Sequence, residues 1–437
     1  MATSQLYHDA AAGNQKTWTF SAWIQISKLG GNSYLYSQGS AGNNFTGIYF
    51  DNENFKCYNE TTGSTSLYFV TNRKFRDVSA WYHIVVQCDT TQSTEADRFK
   101  IYVNGVQETS FSTATYPSQN LDTNMNANTR QRIGVYHPTG SSPNHYFDGY
   151  MSHVALVDGS VVAPTVFGET DSTSGIWKFK SPSGVTWGTN GFHLKFENSG
   201  AMGTDSSGNT NTFTVNGNLK QALDTPSNVY ATLNPLASLP NTGVSTFTNG
   251  NTTSQGTNGS YVNGGSTLMM SSGKWYAEMK YVATSSENRC FVGITKDVSE
   301  ISRINQDSGS NNTFYLSSSG NKNIQGSNTS YGASYTTGDI IGIALDLDNN
   351  RLFFSKNGTW QNSGDPTSST GAITGFTTPA STVNGGYFFF SGSDSNAQNN
   401  TVSWNFGNGF FGTTAITSAG SNGNGSLFEY DVPSGYY

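Results

Sequence analysis

Between residues 338 and 360 apolar and polar positions alternate with a period of two. Ile341, Ile343, Leu345 and Leu347 fall on one phase, and Gly342, Ala344, Asp346 and Asp348 on the other. This predicts a strand with one buried face and one face that is solvated or lined by small residues. Asn349 and Asn350 follow, both tolerant of positive φ and suited to a two-residue hairpin turn. Leu352, Phe353 and Phe354 return as the partner strand, and Asn357 with Gly358 turns the chain again. The same period appears far upstream, where Trp18, Phe20, Ala22, Ile24 and Ile26 share one face of a single run. Residues 81–89 form another strong strand, and residues 98–108 a second hairpin with Asn104 and Gly105 at its turn. Short strands are expected at 34–36, 47–50 and 67–70, and a further strand over 146–158 with Gly159 at its exit. No ten-residue stretch carries a helical period.

Many short strands separated by Gly, Asn and Ser turns predict an all-β fold: two tandem β-sandwich (jelly-roll) domains joined by an irregular connector. The expected boundaries are 1–215 for the first sandwich, 216–267 for the connector, 268–411 for the second sandwich and 412–437 for a Gly/Ser/Asn-rich tail. The connector holds Pro226 and Pro235, and its Asn/Gly/Thr/Ser-rich part at 249–265 reads as a long hairpin turn or a loose loop.

Composition narrows the function. A chain of 437 residues fits two or three domains. Charged residues are 12% and aromatics 13%, which excludes the charge-rich, aromatic-poor profile of a disordered chain. The net charge is −7 with 22 Lys plus Arg and no basic stripe, so no nucleic-acid partner is expected. No apolar run reaches membrane-spanning length, so no membrane insertion is expected. Residues 1–9 have neither a charged nor an apolar leader region, so no signal peptide is expected there. Cys57, Cys88 and Cys290 cannot all pair within one chain and read as small buried thiols, with a Cys57–Cys88 disulfide left open.

The hairpin at 338–360 resembles the signature hairpin of the SPRY domain, a sandwich that binds partners through its loops. Residues 273–279, 291–295, 386–390 and 402–407 resemble further SPRY landmarks in SPRY order. The first half resembles the laminin-G-like, concanavalin A-type jelly roll, through residues 17–26, 80–85, 101–105 and 147–151. With the connector pieces at 225–228 (Thr-Pro-Ser-Asn) and 232–236 (Thr-Leu-Asn-Pro-Leu) and the ending Pro433-Ser434-Gly435-Tyr436-Tyr437, nearly the whole chain resembles a family of large marine-bacteriophage virion proteins. That resemblance implies a place on the virion, as a tail fibre or other appendage component or as capsid decoration. It implies other virion proteins and a host-surface glycan or protein as partners, and a homo-oligomer, trimeric if in a fibre. A Ser/Thr/Asn-rich β chain without a secretion signal also suits a particle protein made in the host cytoplasm.

Each candidate for chemistry in the chain also has an ordinary structural account. Glucanase jelly rolls use two carboxylates on one strand. Asp346 and Asp348 are the one clear pair, and they read as solvated turn residues; Glu53 and Glu60 are too far apart. No Gly-x-Ser-x-Gly elbow is present, and His83 is expected to pack against Trp81. An enzyme is therefore not expected, and a glycan-depolymerising activity is the weakest of three readings, after host adhesion and pure virion assembly. No cofactor is required. Calcium is the metal the oxygen donors suit, at Asp205 and Asn209 or along 122–128, with Asx-turn capping as the plainer account. Glycan binding needs aromatic faces beside amides and hydroxyls. The richest such set is Tyr116, Asn120, Asp122, Asn124, Arg130 and Tyr136, continued by His137, Asn144 and His145, with ordinary loop packing as the competing account of any one residue. In the second half Trp360, Tyr331 and Tyr335 are weaker candidates, while Trp275 and Trp404 read as core.

Overall fold

The computed structural model describes residues 3–40, 44–237, 244–257, 263–283, 288, 290–297, 312–393 and 400–437. Among them there is no α-helix, only short 3-10 turns between strands. The chain divides into two compact units, one of Met1–Gln221 with Thr225–Val229, the other of Ala222–Asp224 with Tyr230–Tyr437. Each unit is a β-sandwich, and the named strands pair antiparallel throughout.

In the first unit an eight-stranded sheet runs, in pairing order, Phe111–Thr115, Ser64–Lys74, Asn54–Thr61, Asn44–Asp51, Asn32–Ser40, Arg130–Ile133, Gln5–Asp9 and Thr214–Asn216. The facing six-stranded sheet is Phe192–Leu194, Gly149–Asp158, Thr17–Ile26, Trp81–Asp89, Phe99–Val103 and Val106–Gln107. Trp18, Phe20, Ala22, Ile24 and Ile26, the expected face, meet Leu35, Ile48, Phe50, Phe55, Cys57, Leu67 and Phe69 from the other sheet in one core. Each fully buried ring there contributes about 2–3 kcal/mol of apolar transfer. All three cysteines are buried and free.

The back of the six-stranded sheet is covered by a small hairpin, Gly168–Thr170 with Trp177–Phe179. Trp177 reaches over Gly105, whose φ of +76° suits the turn and where a Cβ would lie 2.5 Å from the indole. His83 is sandwiched by this hairpin. Its ring stacks on Trp23 at 4.6 Å and faces Trp177 at 6.0 Å, so Trp81 is not its partner as expected. Register explains the correction: Trp23 lies directly across from His83, closer than the next same-face residue on its own strand.

In the second unit a seven-stranded sheet runs Val244–Thr248, Thr253–Thr257, Thr401–Asn405, Lys274–Ala283, Ile340–Asp346, Arg351–Lys356 and Thr359–Trp360. A six-stranded sheet faces it, in the order Asn263–Gly265, Phe388–Ser393, Cys290–Thr295, Asn312–Leu316, Asn321–Ile324 and Ser327–Ser330. Three of these strands come from the stretch read as connector. Residues 258–262, inside the segment read as a loose loop, lie outside the described residues. Trp404 is core, as expected, stacked on Phe406 at 5.1 Å, and Trp275 packs at the core's edge.

The signature hairpin departs from its alternation in one respect. Ile340–Asp346 is buried on both faces. Ile341, Ile343 and Leu345 enter the main core, but Ala344 lies in a second cluster with Tyr276, Phe353, Phe428, Val432 and Tyr436. The Gly/Ser/Asn-rich tail thus returns over the outer face of this sheet. Asp346, expected at a solvated turn, has a fully buried side chain, 3.4 Å from the Lys274 Nζ.

Candidate binding face and the residues around it

Three neighbouring strands of the eight-stranded sheet, Asn44–Asp51, Asn54–Thr61 and Ser64–Lys74, alternate between the core and the outer face. Ile48, Phe50, Phe55, Cys57, Leu67 and Phe69 point to the core, so Tyr49, Lys56, Tyr58 and Tyr68 occupy the opposite face. Register sets Tyr49 beside Lys56 and Tyr58 beside Tyr68. A bulge between Tyr34 and Tyr36 brings Tyr34 out as well. Tyr34 and Tyr49 then stack in parallel at 4.4 Å, and Tyr58 meets Tyr68 edge-on at 5.7 Å. Gly47 makes the rings' closeness possible: a Cβ there would lie 2.8 Å from Tyr34 and 2.9 Å from Phe45.

Polar groups rim the rings. Lys56 Nζ donates to Asp51 at 2.6 Å and sits 5.8 Å from the Tyr68 ring centre. Tyr58 donates to Glu60 at 3.1 Å. Burial lowers the affinity of Lys56 for its proton, but hydrogen bonding to Asp51 and Tyr68 outweighs it, and the ammonium is held charged. Desolvation raises the Tyr49 and Tyr58 hydroxyls above their ordinary range, so both remain neutral donors. A half-buried row of rings edged by an ammonium, carboxylates and hydroxyls can stack the CH face of a sugar and hydrogen-bond its hydroxyl edge.

The loop residues singled out from sequence take several different placements. Tyr136 and His145 join the aromatic face: Tyr136 lies 5.0 Å from Tyr34 and 5.1 Å from Phe45, and His145 6.0 Å from Tyr136. Asn144 pairs its backbone with Tyr136 across the same loop. His137 sits apart, its Nδ1 3.4 Å from Gln5. Tyr116 packs edge-on against Phe69 as a partly buried flank of the core. Asn124 is buried and hydrogen-bonds Asn59 and the Glu60 carbonyl, pinning the loop. Arg130 is forked onto Asp9, at 2.6 and 2.9 Å, above the Tyr7 ring. Asn120 is exposed with a φ of +61°, and Asp122 is exposed, 3.9 Å from Lys16. The structure therefore does not gather these nine residues into one site. Tyr49, Lys56, Tyr58 and Tyr68 escaped the sequence reading, although a visible signal marked them: tyrosines on the polar phase of alternating strands.

The calcium donors are otherwise engaged. Asp205 Oδ1 accepts from the His193 and Ser207 amides, both at 2.9 Å, and Oδ2 from the Ser207 hydroxyl and the Asn211 amide. Asn209 donates to the Gly188 and Gly191 carbonyls. Asp205 and Asn209 thus serve an Asx-capped turn, the plainer of the two accounts. Among the described residues no three His, Cys, Asp or Glu side chains converge as metal ligands.

One Ser–His pair has hydrolase-like spacing, Ser21 Oγ at 2.9 Å from His83 Nε2. Trp177 donates its indole N–H to His83 Nδ1 at 3.0 Å, which leaves the ring proton on Nε2. The imidazole is then a donor to Ser21 and cannot be its base. Burial holds its pKa down at about 3. In the second unit Tyr335 and Tyr331 are buried and spend their hydroxyls on backbone groups, Tyr335 on the Cys290 and Tyr315 carbonyls and Tyr331 on the Phe354 amide. They are core residues rather than ligand contacts, because the sheet's inner face claims them. Trp360 packs near Tyr276 and Phe353.

The geometry is thus that of two antiparallel sandwiches. Family models agree on this fold. Residues 2–167 match the family model of the concanavalin A-like lectin/glucanases superfamily, and residues 274–385 match that of the SPRY domain. The chain carries a concanavalin A-like domain followed by a SPRY domain. A search of curated proteins returns no match. Similar solved structures include the SPRY domain of human HERC1, at 19% identity and TM-score 0.30, covering 39% of this chain and 96% of that one. Another is the heptameric SAP-like pentraxin of Limulus polyphemus, at 12% and 0.31, covering 42% and 82%. A third is the CBM40 of the Ruminococcus gnavus IT-sialidase bound to α2,3-sialyllactose, at 12% and 0.27, covering 35% and 80%.

Proposed function

We propose that this chain is a bacteriophage virion protein, a component of a tail fibre or other appendage, that holds a host-surface glycan on the outer aromatic face of its first sandwich. The observation that carries the binding half of this reading is the row Tyr49, Tyr58 and Tyr68 edged by Lys56, Asp51 and Glu60, on a lectin-type fold. The virion half is supported by the order of sandwich, connector, SPRY-type sandwich and Pro-Ser-Gly-Tyr-Tyr, which resembles phage particle proteins. Single sugar sites are weak, so binding would be summed over copies in a homo-oligomer, a trimer in a fibre. Other virion proteins would hold the chain on the particle.

The test is staining of susceptible cells with multivalent, labelled protein. The wild type is expected to stain, and Tyr58→Ala with Tyr68→Ala to lose most of the signal while staying folded. Equal staining by both moves the site elsewhere. Failure of the wild type to stain, with reconstruction of the particle locating the chain flat on the capsid lattice, replaces adhesion by an assembly role.

A further inference from the structure

The outer face of the seven-stranded sheet is occupied by the chain itself. Its floor is Tyr276, Ala344 and Phe353, with Trp360 at one side, and Phe428, Val432 and Tyr436 fill it. The contacts have the form of peptide recognition. Glu278, fully buried in the sheet, accepts the backbone amides of Glu429 and Tyr430, both at 2.9 Å. Tyr276 donates to the same carboxylate at 3.1 Å, and Asn405 donates to the Leu427 carbonyl at 2.9 Å. At the far end Tyr437 pairs like a strand residue, donating its amide to the Lys274 carbonyl at 3.0 Å and accepting the Tyr276 amide at 2.7 Å. Tyr436 donates to the Pro366 carbonyl at 3.0 Å under the Lys274 ammonium, which lies 5.6 Å from its ring.

A carboxylate buried in a sheet costs several kcal/mol unless its oxygens are satisfied. Two of the four groups that satisfy Glu278 are amides of the tail. The groove is therefore built around a bound segment rather than covered by chance. The segment is joined to the sandwich by residues 413–427, none of which is buried and which include Gly420, Gly423 and Gly425.

We propose that this face is a peptide-docking groove with residues 427–437 as an exchangeable strap, and that in an assembly the groove of one copy takes the strap of a second copy. Docking in trans can reproduce the contacts between strap and groove, with residues 417–422, which hydrogen-bond Phe428, Glu429, Asp431 and Val432, carried along with the strap and the bond from the Ile416 amide to the Gly409 carbonyl given up or remade. The choice between the two is set by local concentration. The inference rests on the second unit alone and stands whether or not the first binds glycan.

Two experiments on the full chain test it. In the first, a labelled synthetic peptide of residues 427–437 is titrated by fluorescence anisotropy. Wild type is compared with a chain whose groove is emptied by Phe428→Ala and Tyr436→Ala, and with a chain whose groove floor is filled by Ala344→Trp. The emptied chain is expected to bind. Wild type should bind about a hundredfold more weakly, because a tethered competitor acts at an effective concentration on the order of millimolar. The filled chain should not bind. No binding by an emptied chain that still unfolds cooperatively overturns the proposal, as does equal binding by all three.

The second experiment leaves the strap's apolar anchors intact. A Cβ on Gly358 would lie 2.6 Å from the Tyr430 ring, so Gly358→Cys and Tyr430→Cys in one chain should form an internal disulfide. When the two single variants are mixed at high concentration and oxidised, a covalent dimer shows exchange. An internal link in the double variant with no dimer from the mixture overturns it.

Discussion

Each sandwich turns an aromatic sheet face away from its own core, and the two faces have opposite fates. In the first unit Tyr49, Tyr58 and Tyr68 stay half-buried, with a charged Lys56 and carboxylates at the rim. In the second, Tyr276 and Phe353 are sealed by Phe428, Val432 and Tyr436 from the same chain. The difference lies in the polar anchor. Lys56 and Asp51 satisfy each other at the surface, whereas Glu278 lies wholly inside and needs two backbone amides that its own sheet does not supply. Aromatic residues on the polar phase of a strand thus mark a seat. The burial of its polar partner decides whether that seat is already taken.

The largest expected effect comes from truncating one ring on each face. Phe428→Ala should destabilise the second unit by about 3 kcal/mol, while Tyr58→Ala should stay within about 1 kcal/mol because its ring is half-exposed. Denaturant unfolding of the two variants reads this directly. A comparable loss from Tyr58→Ala would make the first face structural and break the comparison.

The pH response should separate the units. In the second, burial raises Glu278 to about 7 from its ordinary 4.5, against the opposing hydrogen bonds from the strap amides, Tyr276 and Asn405. The folded state then holds that proton more tightly than the unfolded chain. The contribution is fully present below pH 4.5 and is lost as pH rises to about 7, a change of up to roughly 3 kcal/mol. In the first unit burial lowers His83 and His153 to about 3 and His193 to about 4. There the unfolded chain takes up protons first, so stability is full above about pH 6.5 and falls as pH drops toward 4. Between pH 6.5 and 5 acidification should weaken the first unit and strengthen the second. Thermal melts followed by a probe in each unit check this, and parallel shifts would contradict it.

A smaller effect isolates the anchor. Glu278→Gln removes the titration and one acceptor oxygen, so the second unit should lose its pH dependence between 4.5 and 7 and about 1–2 kcal/mol at acidic pH. The smallest concerns the hairpin over the first unit. Trp177→Phe deletes the donor to His83 Nδ1 and loosens its cover, so the His83 pKa should rise from about 3, as an NMR titration of the imidazole would record.

Much of this architecture was legible in the chain. The alternation at Thr17–Ile26 identified the five residues that reach the first core, and Trp404 read as core from its strand. Asn104 with Gly105 turns the 98–108 hairpin, with φ of +49° and +76°. The candidate site was less legible. A loop rich in Tyr, Asn and His looks like a binding surface, yet Asn124 and Arg130 are spent on Asn59, Glu60 and Asp9, partners 64 to 121 residues away. Local composition cannot record such distant partners.

Period-two patterning by itself determined the β class, the inner faces and the turns, because steric and hydrophobic preferences act over a few neighbouring residues. Only the tertiary structure decided which outer face is sealed. The alternation of Gly342, Ala344 and Asp346 states that this face needs small residues, but not that a segment some 85 residues further on lies over it. That follows from hydrogen bonds joining Glu278 to Glu429 and Tyr430, contacts set by chain closure over long separations, for which a strand's own sequence carries no signal.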